Sequence, residues 1–452
     1  MGAEGLPGFG PHSTVAVVGL GKVGLPIAAQ YASRGLSVIG CDIDARVVAS
    51  VNRGRAHIQE EPELDERVAA AVAASRLRAT EDTGGATREA DVVVVIVPVV
   101  AHGDGRIDLS QIDAAAEAIG RGLRAGALVI FESTLPVGTT RRRLGPLLER
   151  LSGLAPGDGF RLAFSPERVY AGRVFRDLRR YPKIVGGIDA ASGAAAAAFY
   201  RAALDFDDDL GADPVWLLSS TEAAEFTKLI ETTYRDVNIA LANQFAQFAD
   251  RWDIDLGEAT RAANSQPFSH VHQPGIGVGG HCIPVYPYFL LNDSRSGEVL
   301  SLARTARETN DGMAGYALGA LADALGGLRG RRVLVLGWTY RENVREHFWS
   351  AAKRLVEQLE EAGAAPLVHD PLYSRAELAA LGLVPYDLAQ PSSVDAVVLQ
   401  AYHDAYHQLD FAALPGCQVV LDGRNALPRQ RVEAAGMVYI GIGRGGRVPV
   451  LA

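Results

Sequence analysis

The sequence predicts an α/β chain in which two doubly wound parallel-sheet domains are joined by a helical middle with one long connecting helix. Three observations predict it. A glycine turn stands between two short β-branched runs near the N-terminus, a second set of alternating strands and helices begins near residue 331, and an almost uninterrupted helical pattern lies between them. At 452 residues the chain exceeds a single core. The expected domains are 1–205, 206–312 and 313–452.

In chain order, Ser13-Thr-Val-Ala-Val-Val-Gly19 runs into Gly19-Leu-Gly21-Lys-Val-Gly24. A helical pattern follows to Gly35, and the strand Leu36-Ser-Val-Ile-Gly-Cys-Asp42 ends in an acid. A lone GxGxxG is weak, but strand, turn, helix, strand and terminal acid in that order mark a Rossmann-like dinucleotide unit. Backbone from Gly19 through Gly21, Lys22, Val23 and Gly24 is expected to approach a pyrophosphate at the helix N-terminus. The Asp42 carboxylate suits ribose hydroxyls and repels a 2′-phosphate, so NAD is expected as cofactor rather than NADP.

Asp91-Val-Val-Val-Val-Ile-Val-Pro98 and Ala127-Leu-Val-Ile-Phe131 read as buried parallel strands. Their ends bring Pro98 and the hydroxyl-rich turn Glu132-Ser-Thr-Leu-Pro-Val-Gly-Thr-Thr140 to the expected cofactor crevice, with Ser133 and Thr134 facing it. Arg161–Val169 places Glu167 just beyond another strand end, and Lys183-Ile-Val-Gly-Gly187 is expected to close the domain. Ser219-Ser-Thr-Glu has capping-box spacing and opens the long helix, which runs to about Asp253 and carries Lys228 among apolar neighbours. A lysine there ordinarily snorkels to solvent, but beside a reactive thiol it serves as an oxyanion or proton partner.

The thiol belongs to Pro274-Gly-Ile-Gly-Val-Gly-Gly-His-Cys-Ile-Pro-Val-Tyr286. Gly275, Gly277, Gly279 and Gly280 exclude a regular helix or strand, so the segment is a loop presenting Cys282. A buried inert cysteine in a tight turn is the plain alternative. Beyond it, Arg331–Tyr340, a helix near Ala351–Ala362, Ala365–Asp370, Val394–Gln400 and Gln418–Asp422 form the second, smaller doubly wound unit.

Composition narrows the function. A formal charge of −9 and the lack of any extended basic patch exclude a nucleic-acid partner. The cysteines Cys41, Cys282 and Cys417 are far apart, without disulfide or metal-ligand spacing, and no metal is expected. Neither a leader pattern nor an apolar run of membrane-spanning length is read, so a cytoplasmic protein without membrane association is expected.

These residues resemble the UDP-glucose/UDP-N-acetylhexosamine 6-dehydrogenase family. The matching segments are Gly19–Gly24, Cys41–Asp44, Ser133–Thr140, Ser165-Pro-Glu-Arg-Val169, Lys228–Glu231, Arg235–Asn243 and Gly277–Pro284, with Asp422-Gly-Arg-Asn425 in the last domain. The His-Cys-Ile-Pro form is similar to the N-acetylhexosamine (ManNAc or GlcNAc) branch. The resemblance implies two NAD-dependent oxidations of a sugar C6 alcohol to a carboxylate through a cysteine thiohemiacetal and thioester, on a UDP-sugar held by the last domain, in a homodimer. It implies Cys282 as nucleophile, Lys228 as oxyanion partner, Glu167 as helper of the hydrolytic water, and Thr134 and Thr232 near the reacting centre. It implies Arg168, Lys228, Gly277, Gly279, Gly280, Tyr286 and Arg341 at the substrate.

Several positions depart from the family. Thr232 stands for an asparagine, Tyr286 for an aspartate that helps hold the water and lysine, and Arg341 for a lysine. Phe348-Trp349 replaces Arg-Glu, and Phe268 replaces an intersubunit arginine. Two alternatives follow from these changes. One is a divergent enzyme oxidising an unusual nucleotide sugar or nucleoside, by a single two-electron step, in specialised biosynthesis. The other is a nucleotide-sugar binding protein without turnover.

Overall fold

The computed structural model describes residues 12–58, 60–101, 105–293 and 299–445; the N-terminal stretch read above for a leader lies mostly outside them. Two compact units divide the chain, one built on residues before Thr232 together with Tyr288–Asp293, the other on Thr232–Pro287 and the C-terminal part.

In the first unit, the strands are β1 (Thr14–Val18), β2 (Ser37–Cys41), β3 (Leu77–Thr80), β4 (Val92–Val95), a small antiparallel hairpin of β5 (Val100–Ala101) and β6 (Ile107–Asp108), then β7 (Leu128–Phe131), β8 (Arg161–Phe164), β9 (Lys183–Gly187) and β10 (Val215–Leu218). Eight of them form one sheet in the order β10-β9-β8-β7-β4-β1-β2-β3. The β-branched runs are buried throughout, as strands covered on both faces by helices require. The order reverses between β1 and β4, so the crevice beyond their carboxyl ends is the expected ligand position.

Two features of this sheet depart from the sequence reading. It continues one strand past Lys183–Gly187, because β10 pairs in parallel with β9. Strand β9 also runs antiparallel to β8. The segment between them turns back at the carboxyl edge without a full crossover, carrying only the short helix Val174–Arg180. The first residue of β9 therefore lies at the sheet edge where β7 and β8 end.

The helix Thr221–Arg251 is continuous for 31 residues. Its N-terminus is capped simply, the Ala223 N–H donating to Ser220 Oγ, rather than by a reciprocal capping box. In the second unit, β11 (Arg332–Leu336), β12 (Ala365–His369), β13 (Ala396–Leu399), β14 (Val419–Asp422) and β15 (Val438–Gly441) form an all-parallel sheet in the order β12-β11-β13-β14-β15. The amphipathic helices Ser301–Leu325 and Ala351–Glu361 bury their apolar faces in this unit's core. Strands β3 and β15 are additions to the sequence reading. Among the described residues no helix is long and apolar enough to cross a membrane.

Candidate active site

In the first unit, the turn after β1 is shaped by its glycines. Gly19 takes φ +97°, and a methyl on Gly24 would sit 1.9 Å from the Gly19 carbonyl oxygen, so the helix starts tightly against the strand. Gly21 faces open space instead, with nothing within 4 Å of where a Cβ would be, which suits the close approach of a diphosphate. The helix Gly24–Ser33 begins at Val23 without a side-chain cap or an acid in its first turn. Lys22 lies between these positions on the exposed turn.

Asp42 is half-buried. Its Oδ2 accepts from Leu20 N at 2.9 Å and its Oδ1 from Asp44 N at 2.9 Å, which fixes the carboxylate at the end of β2. The second unit repeats strand, turn, strand and acid with a different outcome. Asp370 is fully enclosed and accepts from Trp338 N (2.7 Å) and Thr339 N (3.0 Å), with His403 Nε2 at 3.2 Å. Only Asp42 is left accessible to a ribose. Ile43, next to it, is 94% exposed, an apolar surface the sequence reading did not single out.

At the carboxyl end of the first sheet, Pro98 is exposed, Ser133 Oγ donates to Val97 O at 2.7 Å, and Thr134 is buried beside it in sequence. The turn that follows is held by buried Glu225, which accepts from Gly138 N (2.5 Å) and Thr140 N (2.9 Å). Burial pushes the Glu225 carboxyl up to about 7 against these two donors. Glu167 Oε1 accepts from Arg168 N at 2.7 Å, and Lys228 Nζ donates to the Glu167 carbonyl oxygen at 2.6 Å. Arg168 pairs with Glu231 at 2.5 Å. Thus Glu167, Arg168 and Lys228 are brought together by one turn and one helix.

Thr232, Gly277, Gly279, Gly280, Cys282, Tyr286 and Arg341 belong to the second unit. The glycine loop is clamped at several points: Gly275 N donates to Asn243 Oδ1 (2.9 Å), Ile276 N to Gly423 O (3.0 Å), Arg424 Nη1 to Gly277 O (3.2 Å) and Gly280 N to Phe348 O (3.1 Å). A side chain on Gly279 would meet Tyr340 Cβ at 2.7 Å and Trp349 O at 2.8 Å. Close contacts require glycine at Gly279, while Gly277 and Gly280 take φ of +151° and +93°, which a residue with a side chain rarely adopts. Cys282 is a free, half-buried thiol, and Tyr286 N donates to its carbonyl oxygen at 2.9 Å, forming a single helical turn after it. The His281 ring stacks on Phe348 at 4.3 Å and 8°, with Nε2 3.3 Å from Glu346. Arg341 Nε is buried with no hydrogen-bond partner among the described residues. Thr232 is buried one helical turn after Lys228.

Fold and turn together define a dinucleotide-binding, two-sheet α/β protein with a cysteine-bearing loop. Family models give it a narrower place. The UDP-glucose/GDP-mannose dehydrogenase family matches as its NAD binding domain over residues 13–204, its central domain over 222–312 and its UDP binding domain over 334–429. The chain belongs to this family and is an NAD-dependent oxidoreductase of the nucleotide-sugar dehydrogenase type. It is 35% identical to a UDP-N-acetyl-D-mannosamine dehydrogenase of Pyrococcus horikoshii over 95% of this chain and 99% of that protein. It is 35% identical to an NDP-N-acetyl-D-galactosaminuronic acid dehydrogenase of Ralstonia nicotianae over 93% and 98%. A solved UDP-D-ManNAc dehydrogenase from Pyrococcus horikoshii superposes with a TM-score of 0.85 at 34% identity, covering 96% of this chain and 99% of that one.

Proposed function

We propose that the protein oxidises the C6 primary alcohol of a UDP-sugar, of the N-acetylhexosamine kind, to the carboxylate. The observation that carries this reading is Cys282: a half-buried thiol on a loop fixed by backbone clamps, in a chain whose relatives along nearly its full length include a UDP-N-acetyl-D-mannosamine dehydrogenase and an NDP-N-acetyl-D-galactosaminuronic acid dehydrogenase. NAD, when bound, takes up the hydride at each of the two oxidations. The turn from Gly19 to Gly24 would hold its diphosphate and Asp42 its ribose hydroxyls.

The chain's own groups do the rest. Thr134 and Thr232 position the alcohol, and Lys228 stabilises the oxyanion that develops at the sugar carbon. The Cys282 thiolate adds to the aldehyde carbon, giving a thiohemiacetal whose oxidation leaves a thioester. Water then attacks that carbonyl and gives a proton to Glu167. The C–S bond breaks, and the thiolate returns. Arg341, with its unsatisfied buried Nε, and Arg168 hold polar groups of the substrate. Two copies of the chain associate along Thr221–Arg251, where Phe226, Ile230, Tyr234, Leu241, Phe245 and Phe248 stand exposed at spacings of three, four and seven.

A second reading, a single two-electron oxidation of an unusual nucleotide sugar or nucleoside, is favoured by Tyr286 and by the Phe348–His281 stack beside the cysteine. The test is NADH formed per substrate consumed, across a panel of UDP-sugars and nucleosides, with Cys282→Ala beside the wild type. Two NADH per substrate, lost in the variant, support the thioester route. One NADH, indifferent to the substitution, supports the single step, and NAD binding without turnover points to a binding protein.

A further inference from the structure

The antiparallel turn between β8 and β9 has a chemical consequence. Phe164 pairs with Gly186, and extending that register by three residues sets Glu167 opposite Lys183. Lys183 is only 5% exposed, and its Nζ lies 2.7 Å from Glu167 Oε2 and 3.1 Å from Glu132 Oε1. Burial opposes its charge, but the two carboxylates outweigh it and its pKa is raised. Glu132, at the end of β7, is wholly buried, and Tyr200 OH donates to the same oxygen. Its other oxygen has no hydrogen-bond partner among the described residues. A fixed cation on a buried anchor thus grips one oxygen of Glu167, while Arg168 N grips the other. A carboxylate has about four lone-pair sites, so acceptor capacity remains for a water.

We propose that Lys183 is a positioning residue: it holds the Glu167 carboxylate aimed, and Glu132 holds Lys183. This rests on the reading of Glu167 as the base that takes a proton from the water attacking the thioester. Without the ammonium the carboxylate keeps only the Arg168 N–H of these two fixed donors and is free to turn away from the water.

The experiment uses full-length protein with UDP-N-acetylmannosamine and NAD, following the NADH burst, the steady state and the acyl mass on Cys282. Lys183→Gln should keep the burst, slow the steady state by about ten- to a hundredfold and accumulate the acyl-enzyme. Lys183→Arg should restore most of the steady-state rate and clear the acyl-enzyme. The paired variant Glu132→Leu/Lys183→Met removes the buried charges together and is expected to fold; it should show the same retained burst and slowed steady state. An unchanged steady-state rate in either charge-free protein, or burst and steady state falling in equal proportion, overturns the proposal. Glu167→Gln separates the two ideas. If it turns over normally, the role of Glu167 fails and that of Lys183 with it; if it stalls after the burst while the lysine variants turn over normally, only the role of Lys183 fails.

Discussion

Substituting Arg307 tests how the cysteine loop is held. Arg307 Nη1 lies 2.6 Å from Asp236 Oδ1, and both side chains are nearly or fully enclosed. Asn310 Nδ2 donates to the same Oδ1 at 2.8 Å, Asn243 Nδ2 donates to Asn310 Oδ1 at 2.8 Å, and Gly275 N donates to Asn243 Oδ1 at 2.9 Å. The chain of contacts therefore runs from a buried ion pair to the start of the loop carrying Cys282. Arg307→Met leaves the Asp236 carboxylate buried with Asn310 as its remaining side-chain donor. Breaking one side of a buried pair costs about 3–5 kcal/mol. The lower end is expected, because burial already raises the Asp236 pKa despite Arg307, so the group neutralises readily. Asp236→Leu/Arg307→Met should recover most of the loss, since neither charge is then stranded. Urea unfolding gives the energies, and the rate of Cys282 modification by a thiol reagent under native conditions reports on the loop, rising in the single variant. A single-variant cost below about 1 kcal/mol, or a double variant no better than Arg307→Met, would refute the reasoning.

Two further outcomes are expected. Asp42→Asn removes the charge that repels a 2′-phosphate while keeping an acceptor; nicotinamide fluorescence titration should show the NADP-to-NAD affinity ratio rising about tenfold or more, and an unchanged ratio would remove Asp42 from the ribose site. Glu225 binds its proton more tightly when folded, so its contribution is full below the usual 4.5 and is lost as pH rises to about 7. A shift of that size corresponds to about 3 kcal/mol; unfolding from pH 4.5 to 8 should show Glu225→Gln gaining on the wild type by that order, and parallel profiles would count against it.

The sequence made the large divisions visible because they rest on local patterns. The turn from Gly19 to Gly24 and the all-apolar β4 are spelled by neighbouring residues, as is the long helix at Thr221. What escaped depends on pairings distant along the chain. β3 is four residues with Arg78 exposed, too short for its period to stand out. The direction of β9 follows from how Ser165–Pro182 folds back, and no spacing records that. Glu132 and Lys183 looked like a turn residue and a strand head. Their only signal was a charge bordering an apolar run at each site, and 51 residues separate them. The Arg235–Asn243 segment resembled the family, but its physical reason, the link from Asp236 through Asn243 to Gly275, required coordinates.

The departures from the family fall unevenly on the proposed chemistry. Hydride removal depends on the cofactor turn, Asp42, Thr134 and Lys228, and all of these are kept. Hydrolysis requires a group that accepts a proton near neutral pH. Tyr286, standing for an aspartate, has a phenol that ordinarily ionises near pH 10, and Thr232 offers only a hydroxyl. Among the positions carried over for hydrolysis, Glu167 is the one carboxylate retained, and a buried lysine braces it at 2.7 Å. If the thioester is hydrolysed at all, the burden falls on that residue, so Glu167→Gln should arrest this enzyme at the acyl stage more completely than a relative that keeps the aspartate. Phe348 and Trp349 replace the family's Arg-Glu with aromatic side chains, and the ring of His281, next to Cys282 in sequence, stacks on Phe348.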